Sequence, residues 1–200
     1  MVFDILSRRE KDREKYGDRL PPGQRVANDW PVLTYGGVPR VKLDDWRLRV
    51  FGLVEKEVEF TWAEFSALPR TKVHTDIHCV TTWSKMDTNF EGLSVLDLMT
   101  RVQPKPKARA ILAHCYGGYT TNLLLDDFNR PENLLAYIYE GEPLPTEHGG
   151  PCRLFVPHLY FWKSAKWLNS IEFTKADEPG FWERYGYHLR GDPWKEQRYS

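Results

Sequence analysis

The stretch DIHCVTTWS, Asp76–Ser84, governs how the rest of this sequence is interpreted, because it sets a cysteine at the end of a predicted strand. The residues before Cys79 alternate between apolar and polar side chains, which is typical of a half-buried β-strand. Two threonines then predict a turn that exposes the thiol, and His78 and the nearby Lys85 could lower its pKa. Three interpretations stay open at this point: a buried apolar residue, a nucleophile and a metal ligand.

The same strand offers a second arrangement of metal-binding residues. His74, Asp76 and His78 occur at every second position, so on a regular strand they would share one face. The Cys-x-x-Cys and His-Glu-x-x-His spacings typical of zinc proteins are absent from the sequence. A hydrolase that uses zinc on these three residues, or the Cys79 thiol with a histidine, therefore stays an alternative.

The composition favours a single domain with no general attraction for nucleic acid or an anionic membrane, because 28 basic residues balance 28 acidic ones over 200 residues. No stretch is long and apolar enough for a transmembrane helix. The charged N-terminus shows neither a signal peptide nor a twin-arginine leader, and the three cysteines are not spaced as a disulfide framework. We therefore expect reduced thiols in a cytoplasmic protein, with residues 1–22 as a polar arm and residues 23–200 as one domain.

Strand patterns dominate the body of the chain and predict a mixed, strand-dominated α+β domain. Helices are predicted from an N-cap at Thr61 to Pro69, over Ser94–Val102, and from Pro131 towards a turn at Gly141. The tail from Glu178 is rich in aromatic residues, glycine and proline, and is expected to wrap the surface. Strands are predicted in these segments: Trp46–Val54, Glu57–Phe60, Thr71–Val80, both halves of Arg109–Leu125, Cys152–Pro157 and Lys166–Phe173.

The segment EHGGPCRLFVPHLYFWKSAKW, Glu147–Trp167, concentrates groups that bind anions. Arg153 can grip a phosphate with two hydrogen bonds, Lys163 and Lys166 add point charges, and Ser164 and the Gly-Gly turn add donors. These cations stand among phenylalanine, tyrosine and tryptophan residues, which do not suit a solvated basic face. The segment therefore predicts a buried phosphate site.

The two segments in this order resemble the molybdopterin-binding domain of the sulfite oxidase superfamily, and most closely its short bacterial sulfite-oxidase-like oxidoreductases. The resemblance rests on the cysteine followed by TTWSKMDTNFEGLSVLDLM, and on HGGPCRLFVPHLYFWKSAKWLNSIEF, and it extends over about residues 24–199. It implies the mixed α+β sulfite oxidase fold, built on a coiled sheet. It also implies a molybdopterin cofactor, one per chain, and oxygen-atom transfer between water and a small substrate.

The resemblance also implies a role for particular residues. Cys79 matches the cysteine that binds molybdenum beside the two dithiolene sulfurs of the pterin, and a soft thiolate suits that metal. Tyr187 matches the tyrosine that overhangs the metal, and His188 and Trp83 are expected to wall the substrate pocket with it. Cofactor contacts are implied for Asn28, His114, His148, Arg153, Lys163, Ser164 and Lys166.

The sequence departs from sulfite oxidases where those enzymes bind their substrate. Two arginines that grip the sulfite dianion are replaced here by Ala27 and Ser84, so we expect a substrate other than sulfite. Trp162 stands where related proteins often carry glycine. No haem-binding motif is present, so a separate electron-transfer partner, such as a haem protein, is expected. A non-catalytic pterin-binding domain is a further alternative.

Overall fold

Two mixed β-sheets carry the fold in the computed structural model, which describes residues 10–200. The strands are β1 Arg25–Val26, β2 Arg47–Gly52, β3 Val58–Thr61, β4 Thr71–His78, β5 Trp83–Ser94, β6 Ala110–Cys115, β7 Thr120–Leu124, β8 Leu134–Tyr139, β9 Glu142–Pro143, β10 Arg153–Phe155 and β11 Leu168–Thr174. The helices are α1 Trp62–Ser66, α2 Val95–Val102, α3 Leu125–Phe128 and α4 Phe181–Arg184. The predicted strand-dominated α+β class is confirmed, although the strands form two sheets.

The order of the strands sends the anion-binding segment from one sheet to the other. The first sheet has the order β1-β5-β8-β10, with β4 also paired to β5 and β9 to β8. The second has the order β3-β2-β11-β6-β7. Because β10 belongs to the first sheet and β11 to the second, the chain between them crosses over with Ser164 and both lysines of the motif.

Two apolar cores hold the sheets. The larger one joins side chains of both sheets, including Leu48 of β2, Ile171 of β11 and Leu154 of β10. The smaller one lies against the first sheet and includes Cys79 and Phe90. The cysteine of interest is therefore anchored in a core, and only its turn reaches the surface.

The predicted helix from Pro131 is wrong, because these residues form the central strand β8. Leu135 faces the larger core, while Leu134 and Ala136 face the smaller one. A strand buried on both faces is apolar at every position, so its sequence lacks the alternation that identifies a half-buried strand.

Strand β5, the longest of the described strands, was also missed from sequence. Its middle carries the polar residues Lys85, Asp87 and Asn89. They made the segment look too polar for a strand, although Met86 and Phe90 between and beside them are buried. Strands β1, β4 and β8 all pair with this strand, so its polar residues lie within ladders that the sequence alone does not reveal.

The helix starts predicted at Thr61 and Ser94 are confirmed. Thr61 accepts a hydrogen bond from the backbone N–H of Glu64, and the Glu64 side chain accepts one from Thr61, which together make a capping box. The Ser94 hydroxyl accepts from the backbone N–H of Leu96 at the start of α2. Helix α1 ends at Ser66, before the proline that was expected to stop it.

The N-terminal arm and the tail both pack on the domain, within residues 10–200. Residues 10–16 are helical, and the Asp12 carboxylate accepts a hydrogen bond from the backbone N–H of Val26. The Trp194 indole of the tail donates to the carbonyl of Asp18. Residues 1–9 of the predicted arm lie outside the described residues. Over residues 10–200, none of the helices has the length and apolar character needed to cross a membrane.

Gly92 offers a test of the β5–β8 pairing. A Cβ at this position would lie 2.1 Å from the carbonyl oxygen of Leu135, where no side chain fits. We expect Gly92→Ala to lower the free energy of unfolding by about 2 kcal/mol or more, measured by urea denaturation. Gly37→Ala is the matched control, because its Cβ would meet no atom within 4 Å. Equal midpoints for the two variants would contradict the pairing.

Candidate functional site

A cleft of about 330 Å³ opens between the turn after β4, the β10–β11 crossover and the tail. Aromatic rings supply most of its walls: Trp30, Tyr35, Trp83, Tyr119, Phe161, Trp162, Trp167, Phe181, Trp182 and Tyr187. Its polar side chains include Cys79, Thr81, Arg153, Ser164 and Lys166. Segments far apart in the sequence, including both motifs, therefore converge on one space.

Cys79 follows β4 directly and is held in a tight turn. Its N–H donates to the carbonyl of Trp83 at 2.8 Å, and its own carbonyl accepts from the Thr82 N–H and the Gln24 side chain. The Sγ atom lies 3.2 Å from the Thr81 hydroxyl. Burial raises the pKa of the thiol, so it stays protonated at neutral pH unless a metal displaces the proton.

The basic neighbours do not activate the thiol as the sequence suggested. The His78 ring lies 2.8 Å from the Ser84 hydroxyl, and burial lowers the pKa of His78 to about 4, so the ring is uncharged at neutral pH. The Lys85 ammonium donates to the carbonyl of Asn28. The expectation of a lowered Cys79 pKa is therefore wrong.

The three residues of the zinc alternative are held apart by different partners. His74 contacts Asn89, Asp76 binds Arg19, and His78 faces the buried serine described above. An irregularity in the middle of β4 interrupts the alternation that would have put them on one face. Among residues 10–200, no three histidine, cysteine or acidic side chains are grouped to hold one metal ion.

Arg153 is a charged side chain with only 1% of its surface exposed. Its guanidinium donates to the carbonyls of His148 and Ser164, and lies 4.1 Å from the centre of the Phe161 ring. Burial lowers its pKa to about 9. Its Nε has no hydrogen-bond partner within the part of the chain that is described. An anion in the cleft would satisfy this donor and offset the desolvation of the charge.

Lys166 adds a second cation to the same side of the cleft. Its ammonium donates to the carbonyls of Leu33 and Glu147, and burial together with Arg153 lowers its pKa to about 7. Gly149 packs on its backbone, since a Cβ there would lie 3.0 Å from the Lys166 Cα at a φ of 111°. The Gly-Gly turn thus allows the two motif segments to approach closely.

His148 stacks on Trp30, with ring centres 3.8 Å apart and planes within 10° of parallel. Burial, followed by Lys166 and Arg153, lowers the His148 pKa to about 4. Its Nδ1 is buried without a hydrogen-bond partner from residues 10–200. The stack thus places an open ring nitrogen near both cations.

Tyr187 reaches the cleft from the tail, as expected from the sequence. Its ring lies 5.2 Å from Trp162 and 5.1 Å from Trp182, and burial raises its pKa. Trp83 also lines the cleft. His188 does not, because its Nδ1 accepts hydrogen bonds from backbone N–H groups of its own loop.

Four of the residues expected to contact the cofactor are not among the cleft side chains, and His148, which stacks on the lining residue Trp30, is one of them. Lys163 is fully buried and binds Glu183 at 2.6 Å and Asn122 at 2.8 Å. His114 pairs with Glu172 across β6 and β11, on the face away from the larger core. Asn28 is exposed near the end of β1. The structure brings together Cys79, Arg153, Ser164, Lys166 and Tyr187 in the cleft.

Sequence reasoning missed much of the aromatic wall. Trp30, Tyr35 and Trp182 line the cleft, yet none belongs to the quoted motifs. The only available signal was aromatic residues beside glycine or proline, in NDWP, TYGG and PGFW. Such dipeptides mark loops in general, and do not indicate which loops meet.

Comparison with known proteins gives a consistent result. Residues 35–182 match the family described as oxidoreductase molybdopterin binding domain. The uncharacterized oxidoreductase YuiH of Bacillus subtilis is 48% identical over 91% of this chain and 92% of its own length. The catalytic subunit MsrP of the protein-methionine-sulfoxide reductase of Gluconobacter oxydans is 28% identical, over 74% of this chain and 54% of its own length.

A solved structure shares the fold. The sulfane dehydrogenase SoxCD from Paracoccus pantotrophus superposes with a TM-score of 0.66 at 21% identity. The superposition covers 75% of this chain and 42% of that chain. The sulfite-oxidase-like fold that the sequence predicted is therefore confirmed.

The low pKa of His148 predicts a specific pH dependence. Between its folded pKa of about 4 and its ordinary value of 6.5, the unfolded chain binds a proton that the native ring does not. Stability therefore rises with pH across this window. We expect His148→Gln to reduce the loss of unfolding free energy from pH 7 to pH 4 by up to about 3 kcal/mol, measured by urea denaturation. An unchanged pH dependence would refute the burial of a neutral ring.

Proposed function

This chain belongs to the molybdopterin-binding oxidoreductases of the sulfite oxidase superfamily, and we propose that it reduces a small, uncharged sulfoxide by oxygen-atom transfer. Its cofactor is molybdopterin. The observation that carries the proposal is the placement of the Cys79 thiol in one aromatic cleft with the buried Arg153 and the half-buried Lys166. The alternatives of a hydrolase and of a non-catalytic pterin-binding domain have no comparable support.

The residues present fit this cofactor. A flat heterocycle suits the aromatic walls, and a phosphate suits two desolvated cations, one of which has an unpartnered Nε within residues 10–200. Arg153 and Lys166, which both line the cleft, would hold the phosphate. Cys79 would bind the metal, because its thiol is already in the cleft and is a soft ligand.

The bound molybdenum centre supplies the exchange of one oxygen atom with a change of two electrons. The overall reaction takes two electrons and two protons to convert a sulfoxide into a thioether and water. The chain itself excludes bulk water with its aromatic walls and holds a proton at the Tyr187 hydroxyl. Because burial raises its pKa, that phenol remains protonated at neutral pH and can donate to the departing oxygen.

The surroundings of Cys79 favour a neutral substrate. The Ala27 N–H donates to the Ser84 carbonyl at 2.8 Å, so the two positions that lack arginine are adjacent. Ser84 is fully buried beside the uncharged His78. Without a guanidinium at these two positions, a dianion would lack the bidentate partners that the resemblance implies there, and the nearby Arg198 guanidinium already donates to the Val80 carbonyl.

Sulfoxide reduction is supported by the relative MsrP, the catalytic subunit of a protein-methionine-sulfoxide reductase. Electrons would come from a separate donor, such as a haem protein, as the sequence suggested. The donor and the cytoplasmic location remain proposals for this chain.

Turnover with two substrates tests the proposed function. Protein loaded with molybdenum cofactor should reduce methionine sulfoxide or dimethyl sulfoxide with a reduced viologen dye. We expect Cys79→Ser to lower this rate by about 100-fold or more, because the metal loses its protein ligand. Cys115→Ala is the control, since Cys115 is buried in the larger core, and it should retain the rate within about 3-fold.

Sulfite oxidation, measured under the same conditions, tests the proposed preference for a neutral substrate. We expect sulfite to react at about 1% of the sulfoxide rate or less, since the dianion lacks its arginines. Faster turnover of sulfite than of any neutral sulfoxide, or wild-type rates in Cys79→Ser, would contradict the proposal.

Tyr187→Phe tests the proton donor. Removing the hydroxyl while keeping the ring should lower kcat by about 100-fold with unchanged molybdenum content. Tyr185→Phe is the control, because Tyr185 is 68% exposed and does not line the cleft. Equal kcat values for the two variants would show that Tyr187 is not the proton donor.

A further inference from the structure

We infer that Glu183 is a positioning residue for the substrate end of the cleft: its carboxylate fixes the Trp162 indole, and the indole fixes Tyr187. The inference deepens the proposed function and rests on it for its kinetic test. Neither Glu183 nor its bond to Trp162 could be anticipated from the sequence motifs.

Glu183 is a buried carboxylate that gathers three donors from two separate parts of the fold. One of its oxygens, Oε1, accepts from the Trp162 indole at 2.8 Å and from the Thr121 hydroxyl at 3.2 Å. The same oxygen lies 2.6 Å from the Lys163 ammonium, and neither side chain of this pair is exposed. A buried carboxylate with a paired cation and neutral donors is rigidly oriented, because each lost contact leaves a desolvated charge.

The Trp162 ring is held on several sides besides this hydrogen bond. It stacks on Tyr160 at 5.4 Å and meets Tyr187 nearly at a right angle, at 5.2 Å. Gly191 makes room for it, since a Cβ there would lie 2.7 Å from the indole. The indole thus has one orientation, and that orientation presents a flat wall to the cleft.

Helix α4 links this anchor to the other side of Tyr187. Trp182 precedes Glu183 in the chain and packs on the Tyr187 ring at 5.1 Å. Tyr187 is therefore held between two tryptophans, of which one is bonded to Glu183 and the other is its neighbour. The buried ion pair of Lys163 explains why this lysine of the motif is turned away from the cleft.

This arrangement predicts that Trp162 limits the size of the substrates that the cleft admits. Trp162→Ala should open the cleft and raise the ratio of kcat/KM for methyl phenyl sulfoxide to that for dimethyl sulfoxide by about 10-fold. Trp162→Phe, which keeps a ring but loses the N–H, should raise KM by several-fold with a smaller effect on this ratio. Trp194→Phe is the control, because Trp194 lies outside the cleft and is 45% exposed.

Indole N–H resonances test the anchor without any turnover. The ¹⁵N spectrum of the holoprotein should resolve the eight tryptophans, and the Trp162 signal is the one missing in Trp162→Phe. In Glu183→Gln we expect this signal to shift and its exchange with solvent to accelerate by about 10-fold or more. If that variant fails to fold, the double variant Lys163→Met with Glu183→Gln removes both buried charges together.

The outcomes separate this inference from the proposed function. A Trp162 signal unchanged in position and exchange in the Glu183 variants would overturn the positioning role, as would an unchanged substrate ratio in Trp162→Ala of an active enzyme. If wild-type protein reduces no sulfoxide but the Trp162 signal depends on Glu183, the positioning role stands and the proposed reaction fails.

Discussion

The buried guanidinium of Arg153 connects the chain segments that form the site. Arg153 stands on β10, and its two terminal nitrogens bind carbonyls of the Gly-Gly turn and of the crossover to β11. Taking this charge out of water is costly, and the carbonyl bonds and the Phe161 ring offset only part of the cost. The remaining donor and the neighbouring Lys166 make the cleft a site that gains from an anionic ligand.

The cleft is chemically divided. Arg153 and Lys166 line one part with Trp30 and Phe161, where a phosphate and a heterocycle would be held. Trp162, Trp182 and Tyr187 occupy the other, with the Cys79 thiol reaching the same space. With this division, the cations would contact an anionic cofactor, and a substrate would contact mainly aromatic side chains.

Much of the fold was predictable from local patterns, because alternating strands, capped helices and the order of the motifs are written in short stretches of sequence. The prediction failed at β8, where burial on both faces removes the alternation, and at β5, where polar residues lie within a paired strand. In both cases the neighbouring strands, which the sequence does not identify, determine the structure.

The site was predictable to a similar degree. The motif identified Arg153 and Lys166, but the same reasoning included Lys163, which pairs with a carboxylate from the tail. The motif alone does not indicate that Lys163 forms an ion pair with Glu183 of the tail. Trp30 was missed for the same reason, since its stacking on His148 depends on how two segments far apart in the sequence pack together.

Cys79 is proposed to bind molybdenum held by a pterin in this cleft. X-ray absorption at the molybdenum edge would detect that bond, on wild type and Cys79→Ser purified from a host that makes the cofactor. We expect near-stoichiometric molybdenum in the wild type, with one sulfur ligand more than in the variant. Identical sulfur coordination in both proteins, or no molybdenum in the wild type, would contradict it.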